Sequence, residues 1–173
     1  MSGEGRPRVH VVLVHPEIPP NTGNVARLCA ATRSPLHLVH PLGFRTDDRS
    51  LRRAGLDYWP HVEVHHHPSL DAALEASGCG PVFLFSARAR VPHDRAPYAP
   101  GCRLVFGSET RGLPREVLER FPGSVYRIPV WGPVRSLNLA TAVGIVVYEA
   151  YRRLGAWRSD AGETGPVGCP AGG

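Results

Sequence analysis

The stretch Arg127-Ile128-Pro129-Val130-Trp131-Gly132-Pro133-Val134-Arg135-Ser136-Leu137-Asn138-Leu139 passes from a short apolar strand through a Pro- and Gly-rich loop into a long helix. The pattern predicts a strand over residues 125–130 and a helix over about residues 136–154. Ser136 and Asn138 would then lie in the first helical turn, where backbone N–H groups have no partner within the helix. Such a helix start can bind polar groups, so we predict that this segment forms part of a cofactor site.

The long helix is apolar on two sides. One side carries Leu137, Ala140, Thr141, Gly144, Tyr148 and Tyr151, and the other carries Leu139, Val143, Val146, Val147, Ala150 and Leu154. A helix of this kind must be covered on both sides. The sheet of the same protomer would cover one side, and the second subunit of a homodimer would cover the other. The alternative is that a larger core within one protomer covers both sides. Gly144 costs about 1 kcal/mol relative to Ala inside a helix, so we expect it to permit close packing.

Short runs elsewhere in the chain, mostly apolar at residues 9–14 and continuously apolar at residues 82–85, predict the remaining strands. They lie at residues 9–14, 36–39, 62–65, 82–85 and 103–106. A helix predicted at about residues 23–32 joins the first two strands into a βαβ unit, which implies a parallel sheet. The prolines before it place its start after Pro20, with Asn21 or Thr22 as the cap and Val25, Leu28, Cys29 and Ala31 or Thr32 on the inner side.

Further helices are predicted at residues 47–54, 69–77 and 114–121, and a loop at residues 88–100. The fold class is therefore α/β, a parallel sheet with flanking helices. We expect a single domain over residues 1–158. Residues 159–173 are rich in Gly and Pro and are expected to form a disordered C-terminal tail.

The charge of the chain favours a nucleic-acid partner. The formal net charge is +5, and all of the 20 basic residues are Arg, with no Lys. The absence of Lys excludes Schiff-base and Lys-base chemistry, while guanidinium groups suit phosphates and stacked bases. Genome composition with simply solvated charges is the alternative explanation.

No metal or membrane partner is expected. The four cysteines, Cys29, Cys79, Cys102 and Cys169, form no C-x-x-C pair. The run His65-His66-His67, predicted in a strand-to-helix connection, matches no standard zinc spacing, although a metal cluster is its alternative interpretation. Because no apolar run reaches membrane-spanning length and no signal segment is present, we expect a cytoplasmic protein.

Three loops share one layout, since each follows a strand and opens a helix. They span residues 16–27, 107–113 and 130–138. In parallel α/β sheets, ligands bind beyond the carboxyl ends of the strands. Gly107 and Gly112 would let the backbone approach a ligand closely, while Glu109 could instead form a local surface pair with Arg111. The chain has neither G-x-G-x-x-G after its first strand nor G-x-S-x-G, which argues against dinucleotide binding and serine hydrolysis.

Four ordered motifs over about residues 9–155 closely resemble the SPOUT RNA methyltransferases, in particular the small tRNA (cytidine/uridine) 2′-O-methyltransferases that modify the wobble nucleotide. The motifs are Pro16-Glu17-Ile18-Pro19-Pro20-Asn21-Thr22-Gly23-Asn24 with Arg27-Leu28-Cys29; Leu51-Arg52-Arg53-Ala54-Gly55-Leu56-Asp57-Tyr58; Phe106-Gly107-Ser108-Glu109-Thr110-Arg111-Gly112-Leu113-Pro114; and Arg135-Ser136-Leu137-Asn138-Leu139 with Val147-Tyr148-Glu149-Ala150.

The resemblance implies a deep trefoil knot in the C-terminal half and S-adenosyl-L-methionine as cofactor. The cofactor contacts that carry over by motif are Phe85, Gly107, Ile128 and Ser136. The resemblance also implies a homodimer with the active site at the interface and tRNA as substrate. Candidate RNA contacts are Arg45, Arg49, Arg52, Arg53, Arg88 and Tyr148, although Tyr148 could equally contact the partner helix or simply pack.

The implied reaction is displacement at a methyl carbon by a ribose 2′-oxygen, which needs no metal. Arg27 and Asn21 match the catalytic pair of the family. Because arginine keeps its proton at neutral pH, orienting a phosphate or stabilising a developing alkoxide suits it better than acting as a base. Asn21, Glu109 and Asn138 would brace the loops.

The chain departs from the family pattern at His15, at Ser108 and at residues 131–134, and the last of these leaves substrate detail open. The alternative functions are 2′-O-methylation of another tRNA site or of ribosomal RNA, and RNA binding without catalysis.

Overall fold

A parallel sheet of seven strands organises residues 8–45 and 59–157, the part of the chain that the computed structural model describes. The strands are β1 (His10–Val14), β2 (Leu36–Val39), β3 (Val64–His67), β4 (Val82–Phe85), β5 (Val91–Pro92), β6 (Arg103–Phe106) and β7 (Val125–Arg127). Their order across the sheet is β3-β2-β1-β6-β4-β7-β5, and every pairing is parallel. The predicted α/β class with a parallel sheet and flanking helices is confirmed.

Four α-helices cover the two faces of the sheet within the described residues. They are α1 (Pro19–Thr32), α2 (Leu70–Ala76), α3 (Arg115–Arg120) and α4 (Leu139–Arg153). Successive strand residues point to opposite faces, so Val11 and Leu13 join a core cluster with α1 and α4. Val12 and Val14 join a second cluster on the face that carries α2 and α3. Because both faces are covered, the inner strands β1, β2, β4 and β6 are mostly apolar.

Helix α1 begins four residues earlier than the sequence predicts. It starts at Pro19, with Ile18 as an extended N-cap and the two prolines in the first turn. The prediction was wrong because proline is tolerated in that turn, where its missing N–H has no intrahelical partner anyway. Val25 and Cys29 are buried as expected, whereas Leu28 and Thr32 are only partly buried and Ala31 is exposed.

Strand boundaries at β2, β4 and β6 match the prediction, β1 begins one residue later than predicted, and β3, β5 and β7 differ more. Strand β3 begins two residues later than predicted, so the histidine run lies in the strand instead of the connection that follows it. Strand β7 ends at Arg127, before the prolines of the next loop. The predicted loop at residues 88–100 contains β5, a two-residue edge strand with a proline that carries almost no sequence signal.

Helix α4 begins at Leu139, with Asn138 as its N-cap. Ser136 therefore lies in the loop before the helix, not in its first turn. Of the two apolar sides, the one that faces the sheet carries Leu139, Val143, Val146, Val147 and Ala150, which are all buried. Helix α2 is capped by Ser69 as expected.

Two predicted elements fall outside the described residues: the helix at residues 47–54 and the tail at residues 159–173. In the described ranges, no helix is long and apolar enough to cross a membrane. The same ranges contain no cluster of three or more His, Cys, Asp or Glu side chains arranged to hold a metal ion.

Histidine side chains form a hydrogen-bonded chain across β1, β2 and β3. His10 Nδ1 lies 3.1 Å from His37 Nε2, and His37 Nδ1 lies 2.9 Å from His67 Nε2. The His65 ring stacks on His37 with a centroid distance of 5.0 Å. Burial, and then the charges of these neighbouring imidazoles, lower the pKa of His37 to about 3. The His37 imidazole is therefore uncharged at neutral pH in the folded protein.

We predict that the protein loses stability as the pH falls below about 6.5, the pKa of an unfolded histidine. A depressed folded-state pKa means that the unfolded chain binds more protons below that pH, and the loss continues down to the folded pKa near 3. The groups facing His37 are His10, His65 and His67, with Arg8, Glu63 and Arg103 close by. Urea unfolding between about pH 5 and pH 6.5, above most carboxylate titrations, measures the slope.

His37→Gln should reduce that slope, whereas His61→Gln, at an exposed histidine of the 3₁₀ turn Trp59–His61, should leave it unchanged. Equal slopes for the wild type and His37→Gln would contradict the assignment.

Candidate active site

A cavity of about 610 Å³ opens at the carboxyl ends of β4, β6 and β7. Loops that follow these strands, together with the start of α1 and of α4, form its walls. The lining residues are Ile18, Asn21, residues 85–88, residues 106–112, Ile128, Val130, residues 135–139 and Ala142. This volume is typical of small-molecule and cofactor sites. All three loops singled out by the sequence contribute to it, because parallel strands deliver their carboxyl ends to one edge of the sheet.

The carboxylate of Glu109 is the hub of a polar network beside the cavity. Its Oε2 accepts a hydrogen bond from the Glu17 N–H at 2.8 Å, and its Oε1 accepts one from the Ile18 N–H at 3.0 Å. The Asn21 Nδ2 group donates to the same Oε1 at 3.2 Å. The alternative of a local ion pair with Arg111 is therefore wrong, since the carboxylate is directed at the loop after β1.

Glu17 makes the reciprocal connection. Its carboxylate accepts from the Thr110 backbone N–H at 3.3 Å and from the Thr110 hydroxyl at 2.7 and 2.9 Å. Each loop thus supplies a carboxylate to donors of the other. Sequence reasoning gave Glu17 no role, because its partner is 93 residues away and no local pattern marks such a pair.

Asn138 extends the network to the third loop. Its Nδ2 group donates to Asn21 Oδ1 at 2.9 Å, while its Oδ1 accepts from the backbone N–H groups of Ala140 at 2.9 Å and Thr141 at 3.3 Å. One side chain therefore caps α4 and ties its first turn to α1. Asn21, Glu109 and Asn138 form a continuous chain across the three loops.

Gly107 allows the second loop to fold tightly on itself. A Cβ at this position would lie 2.0 Å from the backbone carbonyl carbon of Gly112, which no side chain can occupy. Gly112 has a φ of 67°, a conformation that favours glycine. The Gly112 N–H donates to the Ser108 carbonyl at 2.9 Å. The two glycines therefore close a compact turn at the cavity wall.

The four residues predicted to contact a cofactor all line this cavity: Phe85, Gly107, Ile128 and Ser136. The Phe85 ring stacks on Phe106 with a centroid distance of 4.9 Å, which makes an aromatic floor where β4 and β6 end side by side. Apolar side chains and backbone amides are thus both available to a ligand.

Other predicted residues are distributed more widely. Arg27 is exposed on α1 and does not line the cavity, in contrast to Asn21 six residues earlier. Arg88 lines the cavity, Arg45 is exposed beyond β2, and Tyr148 is half-exposed on α4 beside the ring of Trp157. Arg49, Arg52 and Arg53 lie outside the described residues.

The charges around the cavity are mostly positive. Arg88, Arg111 and Arg135 line it, and Glu109 is the only carboxylate among the lining residues. Because the Glu109 oxygens already accept three hydrogen bonds, the rim offers positive charge to an anionic partner. Arg111 and Arg135 were not predicted as RNA contacts, although both stand in quoted motifs.

Substitutions of Asn138 can distinguish its role as the N-cap of α4 from its hydrogen bond to Asn21. We predict that Asn138→Ala lowers the free energy of unfolding by about 1–2 kcal/mol, because the cap of α4 and the link to Asn21 are both lost. Asn138→Asp retains the cap acceptor but sets a carboxylate against Asn21 Oδ1, so it should recover part of the loss. Urea unfolding followed by circular dichroism measures both variants. Equal losses for the two would show that capping contributes nothing here.

The fold and the cavity define a class: α/β proteins with a parallel sheet that hold a ligand in loops beyond the carboxyl ends of the strands. The model of the SpoU rRNA Methylase family matches residues 8–148. The chain belongs to this SpoU methylase family.

Curated relatives align over most of the chain. A protein of Burkholderia ambifaria named tRNA (cytidine(34)-2′-O)-methyltransferase is 51% identical over 150 residues, which cover 84% of this chain and 96% of that protein. A protein of Escherichia coli K12 with the same name is 47% identical over 148 residues, covering 85% and 94%.

Solved structures agree with the fold. A structure described as giving insight into the 2-OH methylation of C/U34 on tRNA has 55% identity and a TM-score of 0.81, covering 87% of this chain and 99% of that one. An AdoMet-bound rRNA methyltransferase from Sinorhizobium meliloti has 29% identity and a TM-score of 0.72, covering 87% and 57%.

Proposed function

We propose that this protein transfers a methyl group from S-adenosyl-L-methionine to the ribose 2′-oxygen of the wobble nucleotide of tRNA, cytidine or uridine 34. The observation that carries the proposal is the Glu109–Asn21–Asn138 chain, which holds three loops around one cavity. The relatives named for this reaction align over most of their length, which supports the same substrate here. A tRNA substrate implies that the protein works in the cytoplasm.

The residues of the cavity fit the cofactor. A volume of about 610 Å³ accommodates a nucleoside-sized ligand. Ile128, Leu137 and Leu139 offer apolar surface for an adenine ring, and the glycines of the second loop bring backbone groups to the wall. We assign Phe85, Gly107, Ile128 and Ser136 to holding it. When bound, the cofactor supplies a methyl carbon made electrophilic by its sulfonium centre.

The protein's own contribution is to align the ribose and to stabilise charge. The Asn21 side-chain amide donates to Glu109 and accepts from Asn138, so its orientation at the cavity wall is fixed. Arg27 follows on α1, outside the cavity wall, where a guanidinium can orient a phosphate or stabilise a developing alkoxide. Glu109 serves as a positioning residue, since its oxygens are occupied by loop donors. Arg45, Arg49, Arg52, Arg53, Arg88 and Tyr148 are the proposed RNA contacts.

We predict that the purified protein methylates tRNA at the 2′-oxygen of nucleotide 34 and that Arg27→Ala lowers kcat by about 100-fold or more, as loss of one charge-stabilising group typically does. Arg95→Ala removes an equally charged, 76% exposed guanidinium on a 3₁₀ turn that does not line the cavity, and should leave kcat unchanged. Methyl transfer to total tRNA, followed by mapping of the product nucleotide, measures both. Methylation at a different tRNA position or in ribosomal RNA would overturn the assigned substrate.

We also propose a homodimer that pairs through the outer face of α4. That face carries Thr141, Ile145 and Tyr148 at helical spacing, all exposed within one protomer. Trp157 continues it beyond the helix and is 40% exposed. Gly144 lies on the same face, and a Cβ there would meet no atom of its own protomer within 4 Å. The close packing expected at Gly144 is therefore supplied by a second copy of the chain.

Gly144→Leu should convert the dimer to a monomer, because the added side chain is sterically free in one protomer but intrudes on the paired face. Glu116→Leu adds the same side chain to an exposed position of α3 on the opposite face of the sheet and should leave the dimer intact. Light scattering at micromolar concentration reports the mass. A dimeric Gly144→Leu variant, or a monomeric wild type, would refute this interface.

We further propose that the C-terminal segment completes a deep trefoil knot. Strand β7 lies between β4 and β5 in the sheet, yet α4, which follows it, packs against α1 and β6. The connecting residues 128–138 run beside the loops after β4 and β6, which line the same cavity. Passage of the chain through these loops accounts for this placement.

Mechanical stretching tests the knot. Pulled from its two ends, the chain should fall short of its full extended length of about 3.6 Å per residue, because residues remain trapped in the tightened knot. Pulled between residues 8 and 124, which exclude the threaded segment, the same protein should reach the full length of the intervening chain. Full extension in both geometries would show an unknotted path.

A further inference from the structure

The indole of Trp131 is the most exposed large apolar side chain in the described part of the protein, at 92%. It lies in the loop between β7 and α4, and Val130 and Arg135 of that loop line the cavity. Among the described residues, no ring or hydrogen-bonding partner of the Trp131 side chain is found. A tryptophan can bury 150–250 Å² or so, so its full exposure at the rim of a site leaves a large contact surface unused.

The surroundings of the loop select the kind of partner. Three cavity-lining arginines, Arg88, Arg111 and Arg135, carry positive charge, and the single lining carboxylate, Glu109, accepts three hydrogen bonds from backbone and amide donors. A positive rim next to a bare aromatic ring is the combination that binds single-stranded nucleic acid, with cations on phosphates and a ring under a base. An apolar protein surface would gain nothing from the three guanidinium groups.

The backbone of the loop leaves the ring accessible. Pro133 fixes its own φ, and Gly132 has open space around it, so the backbone beside the ring is unobstructed. Sequence-specific recognition of RNA acts mainly on unpaired bases, which stack on aromatic side chains. A ribose that enters the cavity carries its own base and is flanked by two neighbours, any of which can reach the rim.

We propose that Trp131 stacks on an unpaired nucleobase at or next to the methylated nucleotide and thereby contributes to substrate affinity. This inference rests on the proposed function, and it adds a substrate contact at the segment where the chain departs from the family pattern. The indole binds through its ring face and takes no part in the chemistry. Arg88, Arg111 and Arg135 hold the adjacent phosphates.

Steady-state kinetics with tRNA test the contact. Trp131→Ala should raise the KM for tRNA about tenfold with kcat changed by less than about twofold, in keeping with the loss of one base–aromatic stack. Trp131→Phe should recover most of the affinity, whereas Trp131→Leu, which retains apolar bulk without a ring, should not. Val134→Ala, at an exposed residue of the same loop that does not line the cavity, is the matched control and should behave as the wild type.

Two binding measurements distinguish a contact of Trp131 with RNA from a contact with the cofactor. Titration with an anticodon stem-loop RNA should quench the part of the tryptophan emission that distinguishes the wild type from Trp131→Phe. Calorimetry should give the same affinity of Trp131→Ala for S-adenosyl-L-methionine as the wild type.

An unchanged KM in an active enzyme overturns the stacking contact and leaves the proposed function standing. A reduced cofactor affinity, or a changed mass in light scattering, also overturns it by assigning Trp131 to the cofactor site or to a second copy of the chain. A wild type that transfers no methyl group to tRNA overturns both proposals.

Discussion

The hydrogen bonds that the Glu109 carboxylate accepts are the interaction on which the site depends. Two backbone N–H groups of the loop after β1 and the amide of Asn21 converge on its two oxygens. Bonds to an ionised acceptor are shorter and stronger than neutral ones. Glu17 returns the contact through Thr110, so neither loop can shift without breaking bonds at both ends. Through Asn138 the same network reaches the start of α4.

This bracing has a structural consequence for the cavity. The parallel sheet brings the loops to one edge, but a sheet alone leaves such loops free to differ in conformation. The side-chain network and the compact turn at Gly107 remove that freedom, and α4 then packs its buried face on α1 and the sheet. The cavity is therefore shaped before a ligand arrives, which is the condition for tight binding at low ordering cost.

The same network separates the charges of the site. Its carboxylates are used within the protein, while the arginines that line the cavity, Arg88, Arg111 and Arg135, are exposed. A protein whose basic residues are all arginine suits a substrate that presents both phosphates and bases. In the part of the sheet formed by β1, β2 and β3, imidazole side chains form a hydrogen-bonded chain in which His37 is buried.

The amino-acid sequence by itself determined strands that are largely apolar, such as β2, β4 and β6, because burial on both faces of a parallel sheet favours that composition. It also indicated the two apolar sides of α4 and, through motif resemblance, Phe85, Gly107, Ile128 and Ser136, which line the cavity. The boundaries of elements near proline and histidine residues were harder to predict from the sequence. The start of α1 and the register of β3 depend on first-turn geometry and on partners in neighbouring strands.

Only the tertiary structure decided which polar groups touch. Glu17 and Glu109 stand 92 residues apart, and Asn21 and Asn138 stand 117 apart. No local period encodes such pairs, because each depends on where the sheet places the end of its strand. The tertiary structure also placed Arg111 and Arg135 at the rim, while Arg27 remains outside the cavity wall. Local spacing of residues determines secondary structure. A functional site instead consists of side chains that are distant in the sequence, and only the folded sheet brings them together.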